Sequence, residues 1–397
     1  MHEKSHLYSF PAISSAAERD ETGRLARIHG TPLLVIDCDI IREQYRRLSL
    51  ALPETVFFYA VKALPHEDVI ATLHQLGCSF DLASSGETAL LEKCGISGRD
   101  AIYTHPVKQK EDIERAIAAG CRIFVADNAI EIEKLKQYRK KVRLLIRAGF
   151  RSRNAVVDLA KKYGCMPEDV PELAAIAARA GIKVAGISFH VGSQSITPDA
   201  HVNAIRESGE IARHCRRRRI ADMELLDIGG GFPVSYAGQQ VMEIEEFCLP
   251  VRKALASLPD ELRVIAEPGR FLVAPAARAI SSVTGKAWRG NRMWYYLDDG
   301  IYGSYSGMIF DHARYHLEPQ RHEGRMLPSV LAGPTCDSID IIAEKIMLPE
   351  LEIGDLITGY TMGAYTAATA TDFNMLQRAK IITINRMSER QACLSGI

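Results

Sequence analysis

Short apolar runs alternate with longer amphipathic segments from about residue 56 to residue 270. The apolar runs, which are the predicted strands, lie at 56–62, 79–84, 101–106, 122–127, 142–148, 184–192, 223–230 and 263–270. Strands of this apolar character, separated by helices, indicate a parallel sheet whose two faces are both buried. Eight strand–helix units in about 215 residues favour a closed (β/α)8 barrel over an open doubly wound sheet.

The pattern changes after residue 270. Several later segments are rich in strand-forming residues, namely RFLVAPAARAISSVTGKAW, RMWYYLDDG, RMLPSVLAG, LEIGDLITGY and KIITINR. They predict a second, mostly antiparallel β domain. We therefore expect a barrel over residues 35–275 and a β-sandwich or barrel-like domain formed by residues 1–34 and 276–397. The apolar segment 32–38 is expected to join the β domain just before the barrel begins.

Composition and charge narrow the class of protein without indicating its chemistry. Lys+Arg and Asp+Glu number 49 each, and a neutral chain has no bulk electrostatic attraction for nucleic acids or anionic membranes. No apolar run approaches the roughly 20 residues of a membrane-spanning helix, and the N-terminal residues lack the apolar core of a signal peptide. The nine cysteines are scattered without the spacing of a metal site. These features predict a cytoplasmic protein with reduced thiols, no metal, and no nucleic-acid or membrane partner.

Polar residues and glycines cluster at the C-terminal ends of the predicted strands, where (β/α)8 barrels build their active sites. They are Lys62, Asp81, Glu87, His105, Arg147, His190, Ser193, Gly229, Gly230, Gly231, Glu267 and Arg270. So many polar groups at one rim suit a ligand site and do not suit a packed core.

Lys62 and the three glycines each permit two interpretations. Lys62 ends an apolar strand, so its amine either extends from the strand end to solvent or is partly buried and suited to Schiff-base formation. The cofactor that forms a Schiff base with a lysine through its aldehyde is pyridoxal phosphate, and its phosphate needs an anion site. Gly229–Gly231, after the seventh strand, form either a plain tight turn or a loop whose N–H groups bind that phosphate.

The other candidates also have a structural and a chemical interpretation. Glu267 and Arg270 either close a turn as a surface ion pair or offer a carboxylate to a pyridine nitrogen and a guanidinium to a phosphate. His190 is either a structural histidine or a flat ring that stacks on a cofactor. Cys336 beside Asp337 is either a buried small thiol next to a capping carboxylate or part of the site.

Seven segments occur in one order between residues 59 and 374, namely YAVKA, FDLASSGE, SFHVGSQ, LDIGGGFP, AEPGR, GPTCDS and GAYT. Together they resemble the ornithine/diaminopimelate/arginine decarboxylase family, whose members are pyridoxal-phosphate enzymes with an alanine-racemase-like barrel. The resemblance implies a barrel with a β domain, pyridoxal 5'-phosphate as the cofactor, and an obligate homodimer whose active sites are shared across the interface.

The resemblance also implies a role for individual residues. Lys62 resembles the lysine that binds the cofactor covalently, His190 the residue stacked on its ring, and Glu267 the partner of its pyridine nitrogen. The residues that match the phosphate site are Gly229, Gly230, Gly231, Ser193, Arg270 and Tyr365, and those that match polar groups around the cofactor are Asp81, Glu87 and Arg147. Cys336 resembles the thiol that protonates the decarboxylated intermediate from the opposite subunit, and Asp337 resembles a ligand of the substrate amine.

Residues 298–312, DDGIYGSYSGMIFDH, resemble the specificity segment of ornithine and lysine decarboxylases. This likeness implies that Asp311 binds the distal ammonium of a basic amino acid and that Tyr302 and Phe373 line the pocket. A carboxylate facing a buried ammonium forms a charge-assisted hydrogen bond that a neutral substrate cannot make. The segment, together with AVVDLAKKYG, is most similar to bacterial enzymes that accept both substrates. The expected reaction is decarboxylation of L-lysine, L-ornithine or both, which yields cadaverine, putrescine or both.

One departure from the family concerns the substrate pocket. Family members often have FNGF where this chain has Phe373-Asn374-Met375-Leu376, and we expect Met375 and Leu376 to alter the wall of the pocket at the interface. Diaminopimelate and a specialised conjugated amino acid therefore remain alternatives to lysine and ornithine as the substrate. Diaminopimelate decarboxylases usually have CES where this chain has CDS.

Two further alternatives concern the class of function. The same barrel supports alanine racemisation, against which the GPTCDS segment and the pair Asp311-His312 argue. Relatives of such enzymes can also persist as inactive regulators that bind the partners of the active enzyme. The presence of Lys62, Cys336 and Glu267 argues against that second alternative.

Overall fold

The structure, a computed structural model, describes residues 14–150, 155–157 and 162–386. Within these ranges the chain divides into two compact units. The β unit contains the residues up to Ile40, Ser235–Gln240 and Val273–Arg386, and the barrel unit contains Ile41–Val234 and Val241–Leu272 as far as they are described.

These units differ in detail from the predicted domain boundaries. The boundary expected between residues 34 and 35 lies inside the strand Leu33–Asp37, which pairs only with strands of the β unit. The short segment Ser235–Gln240 belongs to the β unit although it lies inside the predicted barrel range. The predicted ends of the β domain, residues 1–13 and 387–397, lie outside the described residues.

The strands, in chain order, are β1 (Leu33–Asp37), β2 (Thr55–Ala60), β3 (Ser79–Leu82), β4 (Ala101–Tyr103), β5 (Ile123–Ala126), β6 (Arg143–Ala148), β7 (Ala155–Val157), β8 (Lys183–Phe189), β9 (Ser193–Ser195), β10 (Leu225–Asp227), β11 (Arg263–Ala266), β12 (Ala277–Arg289), β13 (Arg292–Leu297), β14 (His316–Pro319), β15 (Met326–Ala332), β16 (Ile341–Pro349), β17 (Leu356–Tyr360) and β18 (Lys380–Ile384). The α-helices are α1 (Ala16–His29), α2 (Cys38–Ala51), α3 (Glu67–Gln75), α4 (Ser85–Lys93), α5 (Lys110–Ala119), α6 (Ala129–Leu135), α7 (Val170–Arg179), α8 (Asp199–Arg217), α9 (Ile244–Leu255), α10 (Arg270–Val273) and α11 (Gly307–Phe310). In the part of the chain that the structure describes, no helix is long and apolar enough to cross a membrane.

Eight parallel strands close the barrel in the order β2, β3, β4, β5, β6, β8, β10 and β11, and β11 pairs with β2. Each strand overlaps one of the eight apolar runs that predict it. Six of the strands contribute one side chain each to a buried cluster of Ile102, Val125, Leu145, Ala185, Leu225 and Ile265. The predicted (β/α)8 barrel is confirmed. Because its strands are parallel, the residues that follow them come together at one rim.

The β unit contains one eight-stranded sheet. Strands β14, β17, β12, β13, β15 and β16 follow one another in it, and β1 pairs with both β12 and β18. The pairings β1–β18 and β13–β15 are parallel, and the others are antiparallel. Helix α1 packs Leu25 against Leu33, Val35 and Ile280 of this sheet. The predicted mostly antiparallel β domain is confirmed, and the apolar segment 32–38 contributes β1 to it.

The residues just after position 270 differ from the expected strand. They form the helical turn α10 and a 3-10 turn at Ala274–Ala276, and β12 begins only at Ala277. Pro275 lies in that turn. Proline has no backbone N–H and a fixed φ, so it opposes a position inside a sheet and delays the start of the strand.

Candidate active site

Lys62 lies at the rim of the barrel, in a short 3-10 turn that follows β2. Its Nζ donates to Asp81 Oδ2 at 2.7 Å, and its side chain is 40% exposed whereas that of Asp81 is fully buried. Thr104, just after β4, also donates its hydroxyl to Asp81. A buried carboxylate therefore holds one side of the Lys62 amine while the other side remains accessible, which suits an amine that exchanges between this partner and a ligand.

Two further carboxyl groups are buried at the ends of β10 and β11. Asp227 accepts the N–H of Gly229 at 2.9 Å, and the Glu267 N–H donates to the carbonyl of Gly229 at 2.8 Å. Burial, followed by the charges of Asp227 and Asp81, raises the pKa of Glu267 well above its usual range, and Lys62 opposes this shift. Burial also raises the pKa of Asp227 to about 6. This shift favours the protonated form of the Glu267 carboxyl.

The three glycines after β10 each lie close to the backbone of a neighbouring segment. A Cβ on Gly229 would lie 2.2 Å from the carbonyl oxygen of Phe189, one on Gly230 would lie 2.7 Å from that of Glu267, and one on Gly231 would lie 2.6 Å from that of Gly192. Gly229 and Gly231 also have φ values of 65° and 97°, which L side chains rarely adopt. Only glycine fits at these three positions.

A cation and a hydroxyl lie at the same rim. Arg270 Nη2 donates to Ser193 Oγ at 3.0 Å. A guanidinium, a hydroxyl and a glycine loop at the end of the seventh barrel strand are the donors that a phosphate requires. The predicted phosphate-site residues of the barrel unit are thus close in space, whereas Tyr365 belongs to the β unit.

His190, which follows β8, is held in its neutral form. Gly192 donates its N–H to His190 Nδ1 at 3.0 Å, so this nitrogen carries no proton. Burial, together with the charges of Arg147 and Lys62, lowers the pKa of His190 well below its usual range. A Cβ on Gly230 would lie 3.2 Å from His190 Nε2, which places the ring next to the glycine loop. A neutral, flat ring in this position suits stacking on an aromatic cofactor.

Arg147 and Glu87 complete the polar residues of the barrel rim. Arg147 lies near the end of β6, with its guanidinium 5.6 Å from the centre of the Tyr163 ring. Glu87 is in the first turn of α4, where its N–H donates to Ser84 Oγ at 3.2 Å and its carboxylate accepts the Ala83 N–H at 2.5 Å. Burial, and to a smaller extent the charge of Asp81, raises the pKa of Glu87 to about 7.

The raised pKa of Glu87 predicts a pH dependence of stability that Glu87→Gln should reduce. Between the usual pKa of 4.5 and about 7 the folded state binds the Glu87 proton more tightly than the unfolded state does, so this contribution is lost as the pH rises through 7. The wild-type, cofactor-free protein should lose about 1–3 kcal/mol more unfolding free energy than Glu87→Gln between pH 5 and pH 8. Thermal unfolding at both pH values measures this difference, and Glu92→Gln, an exposed site on the same helix, should behave as wild type.

In the β unit, four of the predicted residues form a second cluster. The Tyr302 hydroxyl donates to Asp337, which raises the pKa of Tyr302 to about 12 and lowers that of Asp337. The rings of Tyr302 and Phe373 stack with their centres 4.6 Å apart. Cys336, next to Asp337 in the chain, is exposed, so its interpretation as a buried small thiol is wrong.

Asp340 joins the loops that carry this cluster. Its Oδ1 accepts the Ile301 N–H at 2.9 Å, and its Oδ2 accepts the N–H of Thr335 at 3.0 Å and the Thr335 hydroxyl at 2.7 Å. The buried Asp340 thereby fixes Tyr302 and Cys336 in adjacent loops. Sequence reasoning does not find Asp340, because the contact that connects its loop to Ile301 spans 39 residues.

Asp311 and Tyr365 lie on neighbouring segments of the β unit. Asp311 ends α11, with its N–H donating to the Gly307 carbonyl at 2.9 Å. A Cβ on Gly307 would lie 3.5 Å from the Tyr365 carbonyl oxygen, so the two segments are in contact. Tyr365 has a φ of 54°, which points to a tight backbone turn at this position.

The departure from the FNGF pattern places a methionine at a position with a positive φ. Met375 has a φ of 56° and is 93% exposed. The glycine of the FNGF pattern adopts such a φ without strain, whereas a methionine does so at a cost. Leu376 instead lines a surface pocket together with Tyr302 and Phe373. Of the other segment that resembles bacterial enzymes, residues 158–161 lie outside the described residues.

The barrel unit therefore combines an amine held by a buried carboxylate, a glycine cradle in which a Cβ would collide with backbone, a neutral histidine and a buried acid with a raised pKa. The cradle fits a phosphate, the histidine fits a flat ring, and Glu267 fits a basic ring nitrogen. These features define an enzyme of the pyridoxal-phosphate class built on a (β/α)8 barrel.

The chain belongs to the pyridoxal-dependent decarboxylases, because the family model for their pyridoxal binding domain matches residues 38–274. It is 36% identical to a lysine/ornithine decarboxylase from Selenomonas ruminantium over 94% of this chain and 95% of that protein. Two crystal structures of a lysine/ornithine decarboxylase from Vibrio vulnificus, one with cadaverine and one with putrescine, are 48% identical to it with TM-scores of 0.90. Each match covers 94% of this chain; it covers 98% of the chain with cadaverine and 100% of the chain with putrescine. The predicted family, fold and cofactor are confirmed.

Proposed function

We propose that the protein decarboxylates L-lysine and L-ornithine to cadaverine and putrescine with release of CO2. The observation that carries the proposal is the Lys62 amine on the buried Asp81, at a rim that also holds the glycine cradle and Glu267. The similarity to enzymes named lysine/ornithine decarboxylases supports the choice of substrate. The free thiols of the eight cysteines that the structure describes suit the reducing cytoplasm, which we propose as the compartment.

The residues of the barrel rim account for binding and proton movement. Pyridoxal phosphate, when bound, supplies an electron sink for the carbanion that remains after CO2 leaves. The glycine loop, Ser193 and Arg270 would hold its phosphate, and His190 would cover its ring. Glu267, whose raised pKa favours the protonated form, would face the ring nitrogen and stabilise its protonated state. Lys62, held on Asp81, would supply the amine that binds the cofactor aldehyde.

Asp311 is the proposed ligand of the distal substrate ammonium. Asp311→Ala should lower kcat/KM for lysine and ornithine by about a hundredfold, mainly through KM, because a charge-assisted hydrogen bond is lost. CO2 release from a panel of carboxyl-labelled amino acids measures this effect, and diaminopimelate belongs in the panel. Glu352→Ala, which removes an exposed carboxylate of the same unit, is the control. Unchanged kinetics in Asp311→Ala would exclude Asp311 from the pocket, and CO2 from diaminopimelate alone would exclude the proposed substrates.

We also propose a homodimer in which Cys336 and Asp337 of one subunit complete the site of the other. Cys336 is exposed in the single chain, and so are the apolar side chains of Ile339 (57%), Phe373 (40%) and Met375 (93%). Exposed apolar side chains within a few residues of Cys336 and of its partner Asn374 are typical of an interface.

Mixed dimers test this arrangement. Inactive Lys62→Ala and Cys336→Ala subunits, when exchanged with each other, should regain about a quarter of the wild-type activity, because half of the dimers then contain one intact site. The same variants assayed separately are the control. If mixing restores nothing although subunit exchange is verified by mass, the two residues act within one subunit.

A further inference from the structure

One side chain of the β unit contacts the thiol of Cys336 directly. Asn374 Oδ1 accepts the backbone N–H of Cys336 at 3.2 Å and also lies 3.4 Å from its Sγ. The backbone N–H can only donate, so the amide oxygen, and not the amide nitrogen, faces Cys336. An amide oxygen can only accept, so the thiol must donate its proton to it. The contact therefore requires the protonated thiol.

The backbone at Asn374 is suited to this role. Asn374 has a φ of 56°, a conformation that asparagine tolerates better than most residues. Its neighbour Phe373 stacks on Tyr302, which donates to Asp337 beside Cys336. Asn374 and Cys336 are thus connected twice, by their own hydrogen bonds and by the aromatic pair.

We propose that Asn374 is the positioning residue for Cys336: its amide oxygen accepts the S–H of the thiol and fixes the direction from which the thiol delivers its proton to Cα after decarboxylation. The inference rests on the proposed function. In the step, the S–H bond breaks, the Cα–H bond forms, and a thiolate remains that regains a proton from water. Asn374 supplies no proton, because the atom that faces the thiol is an acceptor.

Two substitutions distinguish the effect of the acceptor oxygen from the effect of the backbone conformation at Asn374. Asn374→Gly removes the amide and accepts the positive φ without strain, whereas Asn374→Asp retains an acceptor oxygen at the same place. Both variants are compared with wild type as holoenzymes, and circular dichroism checks their folds.

The first measurement is the rate at which iodoacetamide alkylates Cys336 at neutral pH, followed by mass spectrometry of the peptide. Only the thiolate reacts, so loss of one hydrogen bond to the thiol should make Asn374→Gly roughly two- to tenfold faster. Asn374→Asp should be no faster than wild type, because a carboxylate opposes the thiolate. Cys94, in the barrel unit, should react equally in all three proteins and serves as the internal reference.

The second measurement is the configuration of the deuterium that enters the diamine when lysine is decarboxylated in D2O. A single fixed donor gives one configuration, which we expect from wild type and Asn374→Asp. Asn374→Gly should give a mixture, with kcat reduced more than KM. A general weakening of the loop would lower kcat without mixing the configurations.

Different results would contradict the role of Asn374 and the proposed reaction. If Asn374→Gly matches wild type in both measurements, or if Asn374→Asp alkylates faster than wild type, Asn374 does not position the thiol. If the wild type releases no CO2 from lysine or ornithine, the proposed function fails, and the alkylation rates still decide whether Asn374 controls the thiol.

Discussion

Lys62→Ala is expected to abolish the visible absorption of the lysine-bound cofactor and to lower kcat by at least about a thousandfold. Lys62 is the amine that a buried carboxylate holds at the rim of the barrel, with its Nζ 2.7 Å from Asp81. Alanine removes the amine that we propose to bind the cofactor covalently, and it leaves the buried Asp81 carboxylate without this ion pair. The absorption spectrum of the protein purified with pyridoxal phosphate and the CO2 assay measure the two effects.

The matched control is Lys93→Ala. Lys93 also pairs with a carboxylate, Glu67, but its side chain is 66% exposed and lies on the outside of α4. This variant should retain the wild-type spectrum and rate. A Lys62→Ala protein that keeps the visible band would assign the cofactor to another amine and overturn the proposed site.

The barrel and most of its rim follow from the sequence because both depend on local pattern. A strand buried on two faces must be apolar throughout, so the strands that end at Lys62 and Glu267 stand out from their surroundings. The rule that parallel strands place their ends at one rim then brings Lys62, Asp81 and Glu267 together. Their proximity in the structure is a consequence of topology.

The residues that the sequence does not indicate act through long-range contacts. Asp227 is part of an apolar strand, and the sequence does not mark it as a site residue. Only the structure shows that its carboxylate contacts the Gly229 N–H and the Glu267 carboxyl. Thr104 contacts Asp81 across 23 residues, and Asn374 contacts Cys336 across 38. The spacing of apolar residues does not predict such pairs, because each partner is by itself an ordinary loop or strand residue.

Long-range contacts also determine where the boundary between the two units falls. The apolar pattern of Leu33–Asp37 is equally compatible with a first barrel strand and with a strand of the β domain. Its assignment depends on β12 and β18, which lie about 240 and 350 residues further along the chain. Sequence pattern predicts that this strand exists, and only the pairing determines which sheet it joins.

Glu267→Gln should lower kcat by between about a hundredfold and several thousandfold while the protein still binds pyridoxal phosphate. Breaking one side of a buried charge pair costs about 3–5 kcal/mol. Glutamine has nearly the same shape and keeps the packing around Gly229, but it can neither give a proton to a ring nitrogen nor balance the charge that results. The glycine loop, Ser193 and Arg270, which we propose to bind the phosphate, are unchanged, so the loss should appear in kcat more than in cofactor affinity.

Asp227→Asn provides the comparison that isolates the proton on Glu267. It removes the charge that, after burial, contributes most to the raised pKa of Glu267, so Glu267 should ionise more readily in the cofactor-free enzyme. The variant keeps an acceptor oxygen for the Gly229 N–H and should retain far more activity than Glu267→Gln. Fluorescence titration of pyridoxal phosphate and the CO2 assay, applied to both variants, test this order. Equal losses in the two variants would mean that the pair acts as a structural unit and that the Glu267 proton has no separate role.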